Sequence, residues 1–470
     1  MTKKPVSGAR ALTVSETLCA WSSTIQYEDL PPDVVEQSQL RILDVLGLVL
    51  LARRSDVGSA LLRGARSLGG PAEASIVGEA RAVGAATAAL ANGAMAEAIE
   101  FDDTHTESIV HVGAAVVGAA LATAEAQGSD GQALLLAVAT GAEAVCRIGV
   151  VAPGGFHPRG FHPTGIICPF GAALAAGSLM GLSLEQRVWA LGIAGSQAAG
   201  LLECWADGTW AKVVHPGWAA HSAIIACRLA AAGFTGPARI LEGAAGLFAS
   251  HIQQPSHELD LVRAQAELGQ KWECRGIAFK PYPNAHVIHG LTEAALQIAC
   301  TIDVDEVEEI VCAVAPHWIP IVCEPMAEKR RPPNTAQARI SLPHCIAEAL
   351  VTGRMDAGSF AQEQLLDPSI NALADKIRYE PRRDWTDKSI FPGEIRVRLN
   401  GKPDIVSEVA FNLGGHARPL GREAIVEKFR ANASDALASG EIESVVAGVF
   451  DLPHATDARA LAGLCLGSAD

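Results

Sequence analysis

The sequence predicts a mainly α protein, in which a large all-helical domain is joined by a smaller α+β lid domain inserted before the C-terminal helices. The first observation is composition: of 470 residues, 49% are apolar, only 5% are aromatic and 45 are glycines, so most apolar side chains are small. Small side chains let helices approach closely, which favours many tightly packed helices. The second observation is periodicity, because helical spacing runs from about residue 12 to 250 and strand-like alternation appears after about residue 270.

Seven segments of the first half have the apolar spacing of buried helices. Pro31 and Pro32 open the first of them, at a place where a helix tolerates proline. Gly128, Gly181 and Gly233 follow helical segments, where a left-handed residue commonly ends a helix. The predicted helices are residues 33–52, 83–100, 114–127, 131–148, 169–180, 184–202 and 219–232.

The pattern changes in the second half. Residues 307–315 alternate as a half-buried strand does, and two extended runs joined by Asn400 and Gly401 and ending at Phe411 predict a β-hairpin. Helices are predicted at about 287–301, 341–352 and 422–438 and in the final twenty residues. We therefore expect a helical domain over residues 1–270, a lid over 271–412, and C-terminal helices over 413–470 that rejoin the first domain. Ligand sites favour such junctions.

Charge and cysteine content limit the class of protein. A net charge of −15 argues against nucleic-acid binding, which needs lysine and arginine to neutralise phosphates, although a local basic cluster can still hold a small anion. Residues 1–23 lack the apolar stretch of a signal peptide, and no apolar run makes a convincing membrane span. The 11 cysteines form no CxxC pair, as expected of buried thiols in a reducing compartment. The sequence thus predicts a soluble, cytoplasmic protein.

Four polar segments between apolar helices are candidates for chemistry. In the first, Asp102 and Asp103 precede His111, and a carboxylate can orient a histidine for acid–base work. The alternative is that these acids cap the next helix.

The second segment contains His157, Arg159 and His162 directly before a predicted helix, whose N-terminus would favour a bound carboxylate. Two histidines could also bind zinc, but no third ligand stands at a recognised spacing, so we predict no metal site.

The third and fourth segments supply positive charge. Lys212 lies between apolar helices with His215 just beyond it, and is either a surface residue or an anion-binding group. Lys280 and Tyr282 stand among prolines at the predicted domain junction, where a rigid backbone would either fix catalytic groups or simply connect the domains. The sequence contains no GxGxxG, Walker A or GxSxG motif, which leaves His, Lys, Asp and Tyr chemistry without a cofactor.

Taken together, these segments resemble the MmgE/PrpD family, which includes 2-methylcitrate dehydratase, cis-aconitate decarboxylase and iminodisuccinate epimerase. The resemblance covers nearly the whole chain. Its pieces are Asn92-Gly93, residues 101–104 with His111, residues 160–164, residues 190–197, Lys212 with His215 and Gly217, residues 233–236, and residues 280–283 with His289.

The resemblance implies a homodimer, an active site in the cleft between the two domains, and a small di- or tricarboxylate substrate. It also implies proton removal next to a carboxylate with no metal or organic cofactor. The positions that match the family's site are Asp102, Thr104, His111, His162, Lys212 and Lys280.

We assign hypothetical roles to these and neighbouring residues. His111 and His162 exchange protons with the substrate, and Lys212 and Lys280 bind its carboxylates. Asp102 or Asp103 orients a histidine, and Tyr282 donates to a developing enolate-like oxygen. Imidazole suits proton transfer because its unperturbed pKa lies near neutrality. Thr104, Arg159 and His215 complete the predicted substrate-binding set.

Three departures from the family pattern bear on the reaction. Glu100 stands where relatives often have Asp, Asn284 and Ala285 replace a frequent Cys, and residues 317–319 hold no counterpart of the lid Tyr of the decarboxylases. Decarboxylation of cis-aconitate is therefore not our first expectation. We predict a 2-methylcitrate dehydratase-like lyase, with an iminodisuccinate epimerase-like isomerase as the alternative. A non-catalytic carboxylate-binding protein is the third possibility.

Overall fold

A computed structural model describes residues 11–254 and 256–466, and it is mainly α, as predicted. Ten helices form before residue 232 in the described residues. They are α1 (Val14–Thr24), α2 (Pro32–Ala52), α3 (Asp56–Leu68), α4 (Ala85–Glu97), α5 (Gly113–Gln127), α6 (Gly131–Gly149), α7 (Pro163–Leu179), α8 (Leu184–Ser196), α9 (Cys204–Asp207) and α10 (Val214–Ala231).

Small residues let these helices pack closely, as composition suggested. A Cβ on Gly93 of α4 would lie 3.0 Å from the carbonyl oxygen of Ala114 and 3.0 Å from the Cα of Gly217, so α4, α5 and α10 meet backbone to backbone. The predicted ends also form: Gly128 adopts φ 63° after α5, and Ser183 and Gln186 make a capping box at the start of α8.

Two helices begin earlier than predicted, and both changes affect the site. Helix α7 starts at Pro163, so Pro169 lies inside it and cannot donate to the Gly165 carbonyl. The Ala199 amide donates to that carbonyl instead, at 3.3 Å, which makes the interior proline tolerable. Helix α10 starts at Val214 rather than 219. The helical pattern expected up to residue 250 also ends early, because no α-helix forms between 232 and 250.

Most of the strands lie in the second half of the chain. A two-stranded ribbon pairs β1 (Thr104–His105) with β2 (Ile277–Ala278). A four-stranded sheet has the order β4-β3-β5-β6, in which β3 runs parallel to β4 and antiparallel to β5. Its strands are β3 (Val307–Val314), β4 (Ile377–Pro381), β5 (Gly393–Leu399) and β6 (Ile405–Val409). The predicted hairpin is β5–β6.

Helices accompany this sheet and follow it. Those near the sheet are α11 (His289–Ala299), α12 (Ile319–Val322), α13 (Met326–Arg330), α14 (Thr335–Arg339), α15 (Leu342–Thr352), α16 (Gln362–Leu366) and α17 (Pro368–Asp375). The C-terminal ones are α18 (Arg422–Ala433), α19 (Ser439–Phe450) and α20 (Arg459–Leu464).

The described side chains form two large hydrophobic cores. The first combines the N-terminal helices with residues of the C-terminal helices such as Phe429 and Val445, and the second gathers residues between 285 and 409. The domain boundaries at residues 270 and 412, and the role of the second unit as a lid, stay predictions. One described helix, α6, is long and apolar enough to cross a membrane, but most of it is buried within the first core.

Candidate active site

The predicted acid–base residues meet in a small cavity of about 60 Å³ between the two cores. Three larger clefts, of about 500, 490 and 500 Å³, contain none of the predicted site residues, so chemistry rather than size identifies the candidate site. The lining includes Thr104, His111, His162 and Lys212 from the first core region, and His286, Trp318 and Phe391 from the second.

His111 is held by the loop between α4 and α5. Its Nδ1 atom lies 3.0 Å from the Asp103 carbonyl oxygen and 3.2 Å from the Thr104 hydroxyl, and its amide donates to Thr164 at 3.0 Å. Because a carbonyl oxygen can only accept, Nδ1 carries the proton and Nε2 keeps its lone pair. Burial lowers the pKa of His111, although Asp102 opposes this at 3.4 Å. The imidazole is therefore neutral near pH 7, as a general base must be.

His162 lies directly before α7 and is buried. Its Nδ1 atom is 3.0 Å from Nδ1 of His215, and its ring centre is 5.7 Å from that of His111. Burial, reinforced by the charge of Lys212, holds the pKa of His162 well below its usual value. A neutral His162 can accept a proton but is a weak acid. To donate a proton to the substrate, it would first have to receive one from a charged neighbour or from a second acid.

The two predicted lysines converge on Glu100. Lys212 Nζ lies 2.7 Å from Glu100 Oε2 and is also paired with Glu97, while Lys280 Nζ lies 3.3 Å from Glu100 Oε1. Lys280 lies 3.6 Å from Asp102 and is fully buried. Burial alone would raise the pKa of Glu100, but the two lysines hold it well below its usual value. The carboxylates of the same cluster likewise raise the pKa of Lys212 above its usual range, against the effect of burial.

Glu97 and Asp102 form a carboxyl pair beneath the cavity. Glu97 Oε2 and both carboxylate oxygens of Asp102 are buried without a hydrogen-bond partner. Burial and the neighbouring Asp102 raise the pKa of Glu97 well above its usual value, whereas His111 and Lys280 lower that of Asp102 despite its burial. Burial and Asp102 thus favour the protonated form of Glu97, whereas the ion pair with Lys212 opposes it.

Two non-glycine residues in this loop have left-handed backbones. Glu100 has φ 57° and Ile109 has φ 55°, and both line the cavity. A β-branched residue is costly in this conformation, so the surrounding contacts must hold it there. Such strain is typical of functional loops.

Other predicted residues stand at different distances from the cavity. Asp102, Lys280 and His215 contact its lining, as described above. Asp103 does not reach it: its carboxylate accepts from Arg41 Nε at 2.9 Å and from the amides of Val112 and Gly113 at 3.1 and 2.7 Å. The capping alternative therefore describes this side chain better than substrate binding does.

Arg159 and Tyr282 lie outside the cavity. The Arg159 guanidinium is exposed and donates to the Gly155 carbonyl at 2.8 Å, because the turn at His157–Arg159 directs it to solvent. The Tyr282 ring packs against His289, with centres 5.4 Å apart, and burial raises its pKa to about 12. The structure does not bring either residue to His111 or His162.

A group of possible metal ligands does occur among the described residues, but it is not the pair of histidines considered from the sequence. Potential ligand atoms of Glu97, His111 and His162 lie within 4.8 Å of one another, whereas the two-histidine alternative had paired His162 with His157. Because Lys212 already pairs with Glu97, a cation here would have to displace an ammonium group.

Sequence reasoning missed several site residues. Glu97 is the clearest case, and its signal was a single acid in a helix with no other charged residue. Trp205, Trp318 and Phe391 close the cavity from segments far apart in the chain, and no local pattern pointed to them.

Comparison with known proteins adds to this geometry. The MmgE/PrpD N-terminal domain matches residues 16–260, and the MmgE/PrpD C-terminal domain matches residues 282–452. Cis-aconitate decarboxylase of Aspergillus terreus is 26% identical over 97% of this chain and 96% of its own length. The proteins of the same name from Mus musculus and Homo sapiens are 26% and 27% identical, over 97% of this chain and 94% and 95% of theirs. The family and these relatives support a lyase that acts on a small carboxylate.

Proposed function

Because this chain belongs to the MmgE/PrpD family, we propose that it is a cofactor-independent lyase that removes a proton next to a carboxylate of a small di- or tricarboxylate. We propose dehydration, as in 2-methylcitrate dehydratase, as its reaction. The observation that carries the proposal is His111, whose Nδ1 donates to a backbone carbonyl and whose Nε2 therefore keeps its lone pair as a base in the cavity that Lys212 lines.

In the proposed mechanism, the substrate carboxylate binds to Lys212 and Lys280. His111 Nε2 takes the proton from the adjacent carbon, and Asp102 stabilises the imidazolium that forms. The lysine charges stabilise the enolate-like intermediate where negative charge develops. Lys212, which lines the cavity, then protonates the departing hydroxyl, which leaves as water.

Two other outcomes begin with the same proton removal. Epimerisation is favoured by the position of His162, because two imidazoles in one cavity could serve opposite faces of a carbon. The relatives compared above are named cis-aconitate decarboxylases, and these names favour decarboxylation. The absence of a lid Tyr among residues 317–319 argues against it.

Incubation in D₂O with citrate, 2-methylcitrate, cis-aconitate and aspartate-derived diacids separates these reactions. We expect a rise in alkene absorbance without carbon dioxide. Deuterium uptake without net conversion would mean epimerisation, and carbon dioxide release would mean decarboxylation. If no acid exchanged a proton or reacted, the enzymatic proposal would be wrong, and a carboxylate-binding protein would remain. The homodimer and the cytoplasmic location stay predictions; light scattering on the purified chain tests the first.

A further inference from the structure

A second cavity of about 60 Å³ adjoins the candidate active site. Four side chains line both cavities, so the two spaces meet at these side chains. The shared residues are Glu100, Trp205, Lys212 and Ile340. The adjoining cavity is also lined by Arg339, the last residue of α14. Arg339 therefore adds a cation to the site that the sequence did not indicate.

The fold holds the Arg339 guanidinium in place but leaves it short of hydrogen-bond partners. The Ala285 amide donates to the Arg339 carbonyl at 2.9 Å, and the guanidinium carbon lies 5.4 Å from the ring centre of Phe360. The Arg339 Nε atom is buried and has no hydrogen-bond partner. Burial lowers the pKa of Arg339 to about 10, which still leaves the group charged at pH 7.

The carboxylates of the site are engaged by the lysines instead. Glu100, whose negative charge favours the charged form of Arg339, makes its ion pairs with Lys212 and Lys280. Each lysine also pairs with a second carboxylate. No acidic side chain in the described part of the chain forms an ion pair with the guanidinium. A buried charge without a partner is unfavourable, so a ligand carboxylate would stabilise it.

We infer that Arg339 is a specificity-determining residue that binds one carboxylate of the substrate in the adjoining cavity. Its planar guanidinium can donate two parallel hydrogen bonds to a carboxylate, which a lysine cannot do. A diacid bound to Lys212 and Lys280 would leave this guanidinium unpaired, whereas a third carboxylate would pair with it. The inference rests on the proposed function, and it narrows the di- or tricarboxylate class to tricarboxylates.

The test compares tricarballylate with glutarate, which has the same five-carbon chain and one carboxylate fewer. Neither acid carries a hydroxyl that could be eliminated. Binding to the full chain is measured by titration calorimetry at pH 7, and we expect the wild-type protein to bind tricarballylate more tightly. Arg339→Gln should weaken tricarballylate binding by about tenfold or more, because a charged two-bond contact is lost. It should weaken glutarate binding much less, since both lysines remain.

Arg331→Gln is the matched control. Arg331 follows α13 and pairs with Asp375 on the surface at 2.6 Å, so its substitution should change neither dissociation constant. Arg339→Lys keeps the charge but not the planar fork, and it should reduce the preference for tricarballylate.

Equal weakening of the two acids in Arg339→Gln, or no weakening of tricarballylate, would overturn the inference while leaving the proposed function intact. Equal or tighter binding of glutarate by the wild-type protein would do the same. If Arg339→Gln does not fold, an unchanged preference in Arg339→Lys would overturn the inference. Failure of the wild-type protein to bind either acid would overturn both proposals.

Discussion

Replacing Asp103 by Asn tests whether the base is held by a buried ion pair. The Asp103 carboxylate and Arg41 are each about 2% exposed at the side chain, and the same carboxylate accepts from the amides that begin α5. Gly113 makes this approach possible, since a Cβ there would lie 2.8 Å from Asp103 Oδ2. Asn leaves the Arg41 charge buried without a negatively charged partner. Breaking a buried ion pair in this way costs about 3–5 kcal/mol.

The assay is urea unfolding followed by circular dichroism. We expect Asp103→Asn to lower the free energy of unfolding by about 3 kcal/mol or more. Turnover should also fall, because the substitution loosens the backbone at residue 103, whose carbonyl orients His111. The control is Asp33→Asn, because Asp33 pairs on the surface with Arg275, which donates to it at 2.6 and 2.9 Å.

Exposed pairs contribute only about 0–1 kcal/mol, so the two Asp→Asn variants should differ clearly. If Asp103→Asn lost less than about 1 kcal/mol, comparable to Asp33→Asn, then burial would not make this ion pair important and the reasoning would be refuted.

Three further predictions follow from the site and the second core. His162→Ala and Lys212→Ala should each lower turnover at least about tenfold, as measured by the reaction found in D₂O, and near-normal turnover in both would refute the site. Because burial lowers the pKa of His111, which acts as a base, kcat should stay level from pH 8 to below pH 6.5 and fall only at lower pH; a fall centred above pH 6.5 would contradict this. Burial raises the pKa of Glu348 to about 7, because the folded state favours its neutral form. The contribution of Glu348 to the free energy of unfolding is therefore fully present below pH 4.5 and is lost as the pH rises through 7. Glu348→Gln should therefore raise the free energy of unfolding by about 2 kcal/mol at pH 8 but not at pH 4.5, whereas the exposed Glu363→Gln should change little at either pH.

Much of the fold could be predicted because it is encoded locally. The hairpin β5–β6 followed from alternation around Asn400 and Gly401, and Gly401 has the φ of 67° that such a turn requires. The start of α7 could not be predicted, because Pro169 is a local helix breaker. Only Ala199, more than thirty residues away, supplies the donor that satisfies the Gly165 carbonyl.

The site was predicted unevenly for a similar reason. Residue type and resemblance identified His111, His162, Lys212 and Lys280, which do come together. Residue type alone placed Arg159 in the site, yet its side chain is exposed. Whether a charged residue beside a functional loop faces the cavity or the solvent depends on the local turn.

The sequence by itself determined the helical class, the family and the kinds of side chain available for chemistry, because composition, periodicity and motif spacing are properties of the chain. Only the tertiary structure decided which acidic side chains pair with lysines and in which direction their pKa values move. Glu97 and Glu100 are ordinary acids in the sequence, but the fold places both against Lys212, raises the pKa of Glu97 by burial and sets Glu100 between two lysines. Ionisation and pairing depend on burial and on neighbours that are distant in the chain, so they arise only when the chain folds.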